Sequence, residues 1–345
     1  MRVWMYPKKN LTNKYNELFS ESLEANNIEV KNFIWKFSVN GFRNIFLMKK
    51  GDIFHFHWLH TLYNNSNLII FFFKICYSYL FICLLKLKGV KIVWTMHNLY
   101  PHEYINKTIE NRFRKWVVKN CNLIFALGDS YKHEIISNFE VPEEKIKIIK
   151  HGHYKDKYGK GKENLKKKYG IRKDECLFLF IGQIRPYKGI ENLIDSFSHK
   201  SIQNSKLIIA GNPTNEMKGK LEKIDKENIL KILKFIPDEE MVDLINSCDF
   251  VILPYQNVTM SGTAILALTY NKPIIISSSP LIREYLDESV AIFYDNENPE
   301  NLYQAINQAE ISKSKFKYEN FEKLKGKLDW NNIAKKAIKS YKEIK

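Results

Sequence analysis

The sequence has few cysteines, and they do not suggest a disulfide framework or a zinc site. Its 345 residues include five cysteines, an odd number, which are scattered through apolar stretches without a CxxC pair. This usage disfavours a disulfide-stabilised secreted domain and favours a reducing compartment. The first residues, MRVWMYPKKN, contain no apolar core of signal-peptide length, so no secretory leader is expected. No repeat of a solenoid or propeller period stands out.

Acidic residues are also in short supply. Lys and Arg number 54 against 38 Asp and Glu, which gives a formal net charge of +16. Such a balance favours an anionic partner, namely a nucleotide, lipid head groups or nucleic acid. The lysines are spread over the chain and form no basic-aromatic RNA motif, so nucleic acid is not expected. The length and the 45% hydrophobic content allow two domains, each with its own core.

One long apolar run allows three interpretations. Leu68 to Leu85 is almost entirely apolar, broken by Lys74, and it is near the lower length limit for a membrane span. It lies between two strand-like runs, Ile53–Trp58 and Val90–Thr95, so a crossover helix packed on a parallel sheet is favoured over a span. Contact of this helix with a membrane surface stays open, because three lysines follow it: Lys86, Lys88 and Lys91.

The rest of the chain alternates between strand-like and helical segments. Short apolar runs predict strands: Arg2–Tyr6, Ile28–Phe33, Ile53–Trp58, Val90–Met96, Leu123–Leu127, Ile146–Lys150, Leu177–Ile181, Lys206–Ala210, Ile229–Phe235, Phe250–Leu253 and Pro273–Ser277. Helical spacing between them predicts an α/β fold with two Rossmann-like domains that face each other across a cleft. We expect domains at 1–154 and 176–327, a basic linker at 155–175 and a C-terminal helix at 328–345.

Polar residues of the first half follow strands at several points. The turn Asn13–Tyr15 has no glycine, so it is a poor phosphate cradle and is expected to face an acceptor substrate. His55 and His57 should lie on one face of a strand, with His60 beyond its end. Buried or substrate-facing histidine is the favoured interpretation, with His57 on the acceptor side, and a metal site is the alternative.

A second polar cluster follows the strand Val90–Met96. His97 and Asn98 stand at its carboxyl end, and Pro101–His102–Glu103 is expected to open the next helix. Polar side chains at the end of a parallel strand are typical of a binding site. The alternative is a helix start in which Glu103 only complements the helix dipole.

The stretch Leu177–Phe197 places two cations between a strand and a helix. Gly182 follows the strand and permits a sharp turn, and Arg185 and Lys188 precede the helical residues. An Arg fork with a Lys point charge suits a diphosphate, although a solvated basic loop is the alternative. Further on, Ser261–Gly262–Thr263 opens a helix whose free N–H groups could seat an anion.

Several strings together resemble one family. They are NKYNELF, HFHW, VWTMHNLYPHE, HGHY, FIGQIRPYKGI, PYQNVTMSGTAILAL and NKPII, which begin at Asn13, His55, Val93, His151, Phe180, Pro254 and Asn271. The chain resembles GT-B glycosyltransferases, in particular bacterial exopolysaccharide or capsule transferases related to family 4.

This resemblance implies a role for each matching position. Donor diphosphate binding falls to Gly182, Arg185, Lys188, Ser261, Gly262 and Thr263. The nucleotide base is expected near Phe235 and Ile236, the donor sugar near His97, and the acceptor near Asn13 and Tyr15. The resemblance also implies that the C-terminal helix crosses back onto the first domain.

The sequence departs from the larger family at one point. Many members have two glutamates seven residues apart near Ser261, but here Leu266 and Ala267 occupy the second place and residues 257–260 offer no first. The ribose and sugar contacts of those glutamates, and the retaining mechanism, are therefore not implied. An inverting enzyme would need a base, for which Glu103 is the first candidate and His97 the second. A retaining enzyme would need none.

The expected function is transfer of a hexose or related sugar from a UDP- or GDP-linked donor. The acceptor would be a glycan or lipid-linked oligosaccharide, and no metal is expected. The enzyme would be cytoplasmic, or peripheral at the inner face of the cytoplasmic membrane. The alternative from a different class is a non-catalytic basic binder of membrane or nucleic acid on a degenerate scaffold.

Overall fold

The computed structural model describes residues 1–9, 13–37, 43–101, 103–155, 157–198, 202, 204–256 and 260–344. His102 and residues 257–259, which include most of the stretch without the first family glutamate, lie outside the described residues. The chain forms two units, one of residues 1–152 with 328–345 and the other of residues 153–327.

The N-terminal unit is built on a parallel sheet. Its strands are β1 (Arg2–Tyr6), β2 (Glu29–Asn32), β3 (Ile53–Phe56), β4 (Lys91–Thr95), β5 (Leu123–Ala126) and β6 (Ile146–Ile148), in the spatial order β2-β1-β3-β4-β5-β6. All four residues of β3 and of β5 are buried, as expected for strands covered on both faces. The strand order reverses between β1 and β3, and this crevice is where open α/β sheets bind ligands.

Helices cover both faces of this sheet: α1 (Tyr15–Ala25), α2 (Arg43–Leu47), α3 (Leu68–Leu87), α4 (Lys107–Asn120), α5 (Asp129–Phe139) and α14 (Trp330–Glu343). The C-terminal helix α14 packs on α1 and belongs to this unit. Tyr341 of this helix is fully buried, and its hydroxyl oxygen lies 2.6 Å from Nδ1 of His55. The helix is thereby tied to the centre of the sheet.

The long apolar run is a crossover helix, as the sequence predicts. α3 connects β3 to β4, which are neighbours and pair in parallel. Asn67 caps it by accepting hydrogen bonds from the N–H groups of Ile69 and Ile70. Among the described residues, this helix alone has the length and apolar composition of a membrane span.

The C-terminal unit repeats the architecture. Its strands are β7 (Cys176–Ile181), β8 (Ser205–Ala210), β9 (Ile229–Ile232), β10 (Phe250–Leu253), β11 (Ile274–Ser277) and β12 (Ala291–Tyr294), in the order β12-β11-β10-β7-β8-β9. All pairs are parallel. The order reverses between β7 and β10, so the loops after these two strands border the crevice of this sheet. The predicted fold class, α/β with two Rossmann-like domains, is confirmed.

Its helices are α6 (Leu165–Lys168), α7 (Ile190–Phe197), α8 (Asn215–Glu222), α9 (Asp238–Ser247), α10 (Gly262–Thr269), α11 (Pro280–Arg283), α12 (Pro299–Ser312) and α13 (Tyr318–Lys327). The stretch that the sequence predicts as a linker is held on this unit. Asp243 accepts hydrogen bonds from the N–H groups of Lys162 and Glu163, and Lys166 pairs with Asp249 at 2.6 Å. Apolar residues are few there, but polar contacts fix the backbone.

Two predicted boundaries are wrong. The helix after β4 begins at Lys107 and not at Pro101–Glu103, because Asn106 caps it and Glu110 accepts from the N–H groups of Ile105 and Asn106. Glu103 lies in the preceding loop and is exposed, so the alternative that it complements the helix dipole is wrong as well. The extended segment predicted to run to Phe235 ends at Ile232, where the Lys234 N–H donates back to the Ile232 carbonyl.

Candidate functional site

In the C-terminal unit, two loops meet at the point where the strand order reverses. The loop after β7 carries Arg185 and Lys188, and the loop after β10 carries Pro254, Tyr255 and Gln256. The Gln256 N–H donates to the Tyr187 carbonyl at 3.2 Å. These contacts bring the cations of the first loop beside the second loop.

Gly189 allows the closest approach of the two loops. Its φ is +67°, and a β-carbon there would lie 1.8 Å from the carbonyl oxygen of Pro254. No larger residue fits without moving one of the loops. Gly182 plays a related part, because its open side faces the start of α10: a β-carbon there would be 3.7 Å from Oγ1 of Thr263. The predicted diphosphate residues Gly182 and Thr263 are thus neighbours.

The ammonium group of Lys188 is held over an aromatic ring. Its nitrogen lies 3.6 Å from the ring centroid of Tyr255, which is buried. A cation this close to a ring face is attracted by the ring quadrupole. The backbone of Tyr255 is fixed in turn, because its carbonyl accepts from Ser277 Oγ at 2.8 Å and from Asn296 Nδ2 at 3.2 Å. Sequence reasoning assigned Tyr255 no role; its position just after a predicted strand was the available signal.

Neither cation has a carboxylate partner among the residues that the structure describes. Arg185 and Lys188 are half-buried and form no salt bridge there. Many other lysines of this unit do pair, for example Lys220 with Glu191 at 3.0 Å. Two half-buried cations that have no carboxylate partner among the described residues create a positive potential at this loop.

The start of α10 adds a second source of positive potential. Ser261 is its N-cap and accepts from the Ala264 N–H at 3.1 Å, while the body of the helix, Ala264–Leu268, is buried. The first N–H groups of a helix have no partner within the helix, and its dipole favours negative charge. Gly262 and Thr263 occupy these first positions, as the sequence predicts.

The predicted base region lies after the edge strand β9. Phe235 is exposed and Ile236 is half-buried, both in the loop before α9. A cavity of about 260 Å³ borders the loop after β10. Its lining consists of Asn192, Pro254, Gln256, Tyr294, Asn296, Asn298, Pro299 and Leu302.

In the N-terminal unit, histidines gather after the central strands. The rings of His55 and His57 stack with centroids 4.6 Å apart, which confirms that they share a face. His57 Nδ1 lies 3.2 Å from His97 Nε2, and the His97 ring stacks on Trp58 at 4.7 Å.

Tyr15 is fully buried with its ring edge-on to His97 at 4.9 Å. Asn13 accepts from the N–H of Tyr15 at 2.8 Å, which holds the turn.

The hydrogen bonds of His57 and His97 indicate which ring nitrogen of each histidine carries the proton. His57 Nε2 lies 3.0 Å from the sulfur of Met5, which can only accept, so His57 carries its proton on Nε2. His57 Nδ1 is then the acceptor for His97 Nε2–H. The remaining nitrogen of His97, Nδ1, carries the lone pair and is available as a base.

Burial keeps these imidazoles neutral. Burial lowers the pKa of His57 and of His97 well below the ordinary value. The neighbouring His55 lowers the pKa of His57 further, and His57 and His151 lower that of His97 further. Burial lowers the pKa of His55 to about 3, and both of its nitrogens are engaged, by Tyr341 and by Thr95. His55 is therefore structural, whereas the half-buried His97 is the member of the cluster with an available nitrogen.

A metal site at His55, His57 and His60 receives no support. No group of three or more His, Cys, Asp or Glu residues suited to a metal occurs in the part of the chain that the structure describes. His60 lies in a short 3₁₀ turn, Leu59–Leu62, beyond the strand. Sequence reasoning assigned no role to His151 and Trp330, whose rings lie against Tyr15. It also assigned none to Trp58, whose ring lies against His57 and His97, although the strings HFHW and HGHY contained Trp58 and His151.

The comparisons with known proteins agree on one class. Residues 161–324 match the family model "Glycosyl transferases group 1", and residues 52–154 match "Glycosyltransferase Family 4". A GDP-mannose:glycolipid 4-beta-D-mannosyltransferase from Xanthomonas campestris pv. campestris is 26% identical over 264 residues, covering 73% of this chain and 69% of the relative. Three curated relatives are matched over 60 to 69% of their own lengths.

Solved structures show the same fold. Sucrose-phosphate synthase from Thermosynechococcus elongatus superposes with a TM-score of 0.75 at 12% identity, covering 99% of this chain and 98% of that one. Anabaena HepE in complex with UDP-glucose gives 0.73 at 13% identity, with 99% of both chains covered. The family models together span most of the sequence and name one enzyme class. This chain is a glycosyltransferase of the GT-B fold, of the family-4-like type.

Proposed function

We propose that this enzyme transfers a hexose or related sugar from a UDP- or GDP-linked donor to a glycan or lipid-linked oligosaccharide. The product would enter surface polysaccharide, capsule or exopolysaccharide. The observation that carries the proposal is the pair Arg185 and Lys188, without a carboxylate partner among the described residues, on the loop next to the start of α10. The name of the Xanthomonas relative, a glycolipid mannosyltransferase using GDP-mannose, supports this donor and acceptor class, and HepE holds UDP-glucose.

The proposed mechanism places the cations at the leaving group. When the bond between the sugar and the diphosphate breaks, negative charge builds on the phosphate oxygens. The Arg185 fork, the Lys188 ammonium and the N–H groups of Gly262 and Thr263 would stabilise that charge. These groups supply the positive potential themselves, so the proposal needs no metal ion. The base of the nucleotide would lie by Phe235 and Ile236.

The acceptor would be activated in the N-terminal unit. An inverting reaction needs a base for the acceptor hydroxyl, and Glu103 and His97 are the two candidates. The hydrogen-bond chain through Met5 and His57 leaves Nδ1 of His97 with its lone pair, but burial lowers the pKa of His97 and makes it a weak base, so Glu103 stays the first candidate and His97 the second. Glu103 is exposed. Asn13, Tyr15 and His57 would support the acceptor side by shaping the cluster around His97.

Product stereochemistry distinguishes the two reaction types. In a single turnover followed by NMR, an α-linked donor that gives a β-linked product indicates inversion, and replacement of the base should then abolish transfer. Retention of configuration would remove the argument for either base. His97→Gln and Glu103→Gln are matched variants for this experiment, because each keeps a hydrogen-bonding group of similar length.

A thermal-shift screen of UDP and GDP sugars tests the donor site. A ligand present at 100 times its dissociation constant stabilises a protein by about 2.7 kcal/mol, because it binds only the folded state. We expect a shift with one nucleotide sugar, and a much smaller shift in Arg185→Gln. If no nucleotide sugar raises the melting temperature, the proposed donor class is wrong.

We also propose a cytoplasmic location, peripheral at the inner face of the cytoplasmic membrane. The net charge of +16 and the free cysteines support it. The alternative of a non-catalytic basic binder is disfavoured, since both family models are those of glycosyltransferases.

A further inference from the structure

The helix α3 presents apolar side chains on the side that faces away from the sheet as well as on the inner side. Phe71, Ile75, Ile82 and Leu85 are buried within the unit. An opposite stripe recurs at steps of four and three residues and is exposed: Ile69, Phe73, Cys76, Leu80, Cys83 and Leu87. The exposed fractions are 67% for Ile69, 62% for Phe73, 51% for Leu80 and 84% for Leu87. We call these six residues the outer stripe.

A surface helix of a soluble protein normally carries polar residues on its outer side. The outer stripe has no charged member, and the two lysines of α3, Lys74 and Lys86, lie outside it. The 20 residues of the helix span about 30 Å at 1.5 Å per residue. An exposed apolar patch of this size marks an interaction site.

Neighbouring segments widen the apolar surface at the C-terminal end of α3. Phe46 on α2 is 80% exposed, and Leu47 beside it is exposed as well. The Lys88 ammonium connects them to α3, because it lies 5.8 Å from the Phe46 ring centroid and donates to the Phe46 carbonyl at 2.9 Å. Phe46 and Leu47 therefore stand near the end of the outer stripe.

The stretch of sequence that contains this surface carries mostly positive charge. Between residues 30 and 102 the sequence has nine Lys and Arg residues and a single acidic residue, Asp52. Asp52 is buried and paired with Arg2 at 2.5 Å. Lys86 and Lys88 donate to neutral amide oxygens, of Asn120 and of Ile45, so these contacts leave their charges uncompensated.

From these observations we propose that the outer stripe, with Phe46 and Leu47, docks the enzyme on an anionic lipid bilayer. Apolar side chains would enter the head-group boundary while the lysines contact lipid phosphates. The helix lies on the bilayer and does not cross it, because its inner residues are part of the core and it connects two paired strands. The proposal deepens the proposed function, since a lipid-linked acceptor would be presented at that surface.

Co-sedimentation of the full chain with vesicles tests the proposal. We expect binding to vesicles of phosphatidylcholine with phosphatidylglycerol, weaker binding to phosphatidylcholine alone, and loss of binding as salt is raised. The triple variant I69Q/F73Q/L80Q should partition at least about 10-fold less, because a buried apolar side chain contributes strongly to membrane affinity. I311Q is the matched control, since Ile311 is exposed on α12 in the other unit.

A second measurement uses the native thiols. Cys76 and Cys83 are exposed on the outer stripe, whereas Cys121 and Cys248 are buried. A polarity-sensitive fluorophore attached to the exposed thiols should shift to the blue when anionic vesicles are added. Wild-type protein that stays in the supernatant at low salt, or a triple variant that pellets as well as wild type, would overturn the proposal. A dimer that the triple variant loses would assign the surface to a second copy instead.

The nucleotide thermal shift separates this proposal from the proposed function. The triple variant should fold and keep the nucleotide-induced shift of wild type, because its substitutions lie on the surface of the N-terminal unit. Nucleotide binding without vesicle binding refutes the docking surface alone. Vesicle binding without any nucleotide shift refutes the donor assignment alone.

Discussion

Replacing Tyr255 tests whether its ring positions Lys188 for catalysis. The ammonium nitrogen lies 3.6 Å from the ring centroid. A cation–π contact contributes about 0.5–1 kcal/mol at exposed sites and about 2 kcal/mol when desolvated. Lys188 is half-buried, so about 1 kcal/mol is expected, which corresponds to roughly a five-fold effect on rate. Tyr255→Leu should therefore lower kcat/KM about five-fold, whereas Tyr255→Phe should stay close to wild type because it keeps the ring.

A double-mutant cycle makes this prediction specific. In the background of Lys188→Gln, which removes the cation, Tyr255→Leu should cause little further loss, since the partner of the ring is gone. Initial rates with the nucleotide sugar found by the thermal-shift screen provide the assay, and melting temperatures report any packing defect. If Leu and Phe impair transfer equally, or if Leu costs as much without Lys188 as with it, the positioning role of the ring is refuted.

The remaining predictions concern the cations, the loop contact and the buried histidines. Arg185→Ala and Lys188→Ala should each lower turnover on the order of 100-fold, as for other lost groups that stabilise developing charge; unchanged turnover in both would contradict their role. Gly189→Ala should destabilise the protein by about 2 kcal/mol or more, because strain and a clash at 1.8 Å combine. Gly170→Ala is its control in urea titrations, having a φ of +64° but no atom within 4 Å, and an equal cost in both variants would show that the clash is irrelevant. Burial lowers the pKa of His55 to about 3, so below pH 6.5 the unfolded chain binds a proton that the folded chain does not. His55 alone should lower the free energy of unfolding by about 2 kcal/mol as the pH drops from 7.5 to 5, and His57 and His97, whose pKa values are also lowered, add to this loss. A free energy of unfolding that is constant over this range would contradict the buried neutral imidazole.

The local pattern of the sequence predicted most of the fold. Apolar runs such as Leu123–Leu127 became buried parallel strands, and the alternation with helices predicted the α/β class. The position of the run from Leu68 between two strands predicted the crossover helix. These predictions succeed because strand and helix periods, and the need to cover both faces of a parallel sheet, are expressed over short stretches of chain.

Boundaries depended on contacts that the pattern does not show. The helix predicted at Pro101 begins at Lys107, because Asn106 and Glu110 supply its cap. Asn106 belongs to a residue type that often caps helices, but the residues Pro101–His102–Glu103 before it suggested an earlier helix start. The stretch 155–175 has few apolar residues, yet hydrogen bonds from its backbone to Asp243 fix it to the C-terminal unit.

The sequence by itself determined the residue types of the candidate donor site: an Arg, a Lys and a helix start, each following a predicted strand. Only the tertiary structure decided that the loops after β7 and β10 are adjacent, because strand order is set by pairing between segments far apart in the chain. That adjacency places the Tyr255 ring under Lys188 and turns the open side of Gly182 toward Thr263. The tertiary structure also decided that one side of α3 stays exposed. The inner residues of α3 are buried in the core, and no described element packs on the outer stripe. The local sequence determines secondary-structure propensity and the chemistry of the side chains. Which side chains lie next to each other is determined by packing between segments far apart in the chain.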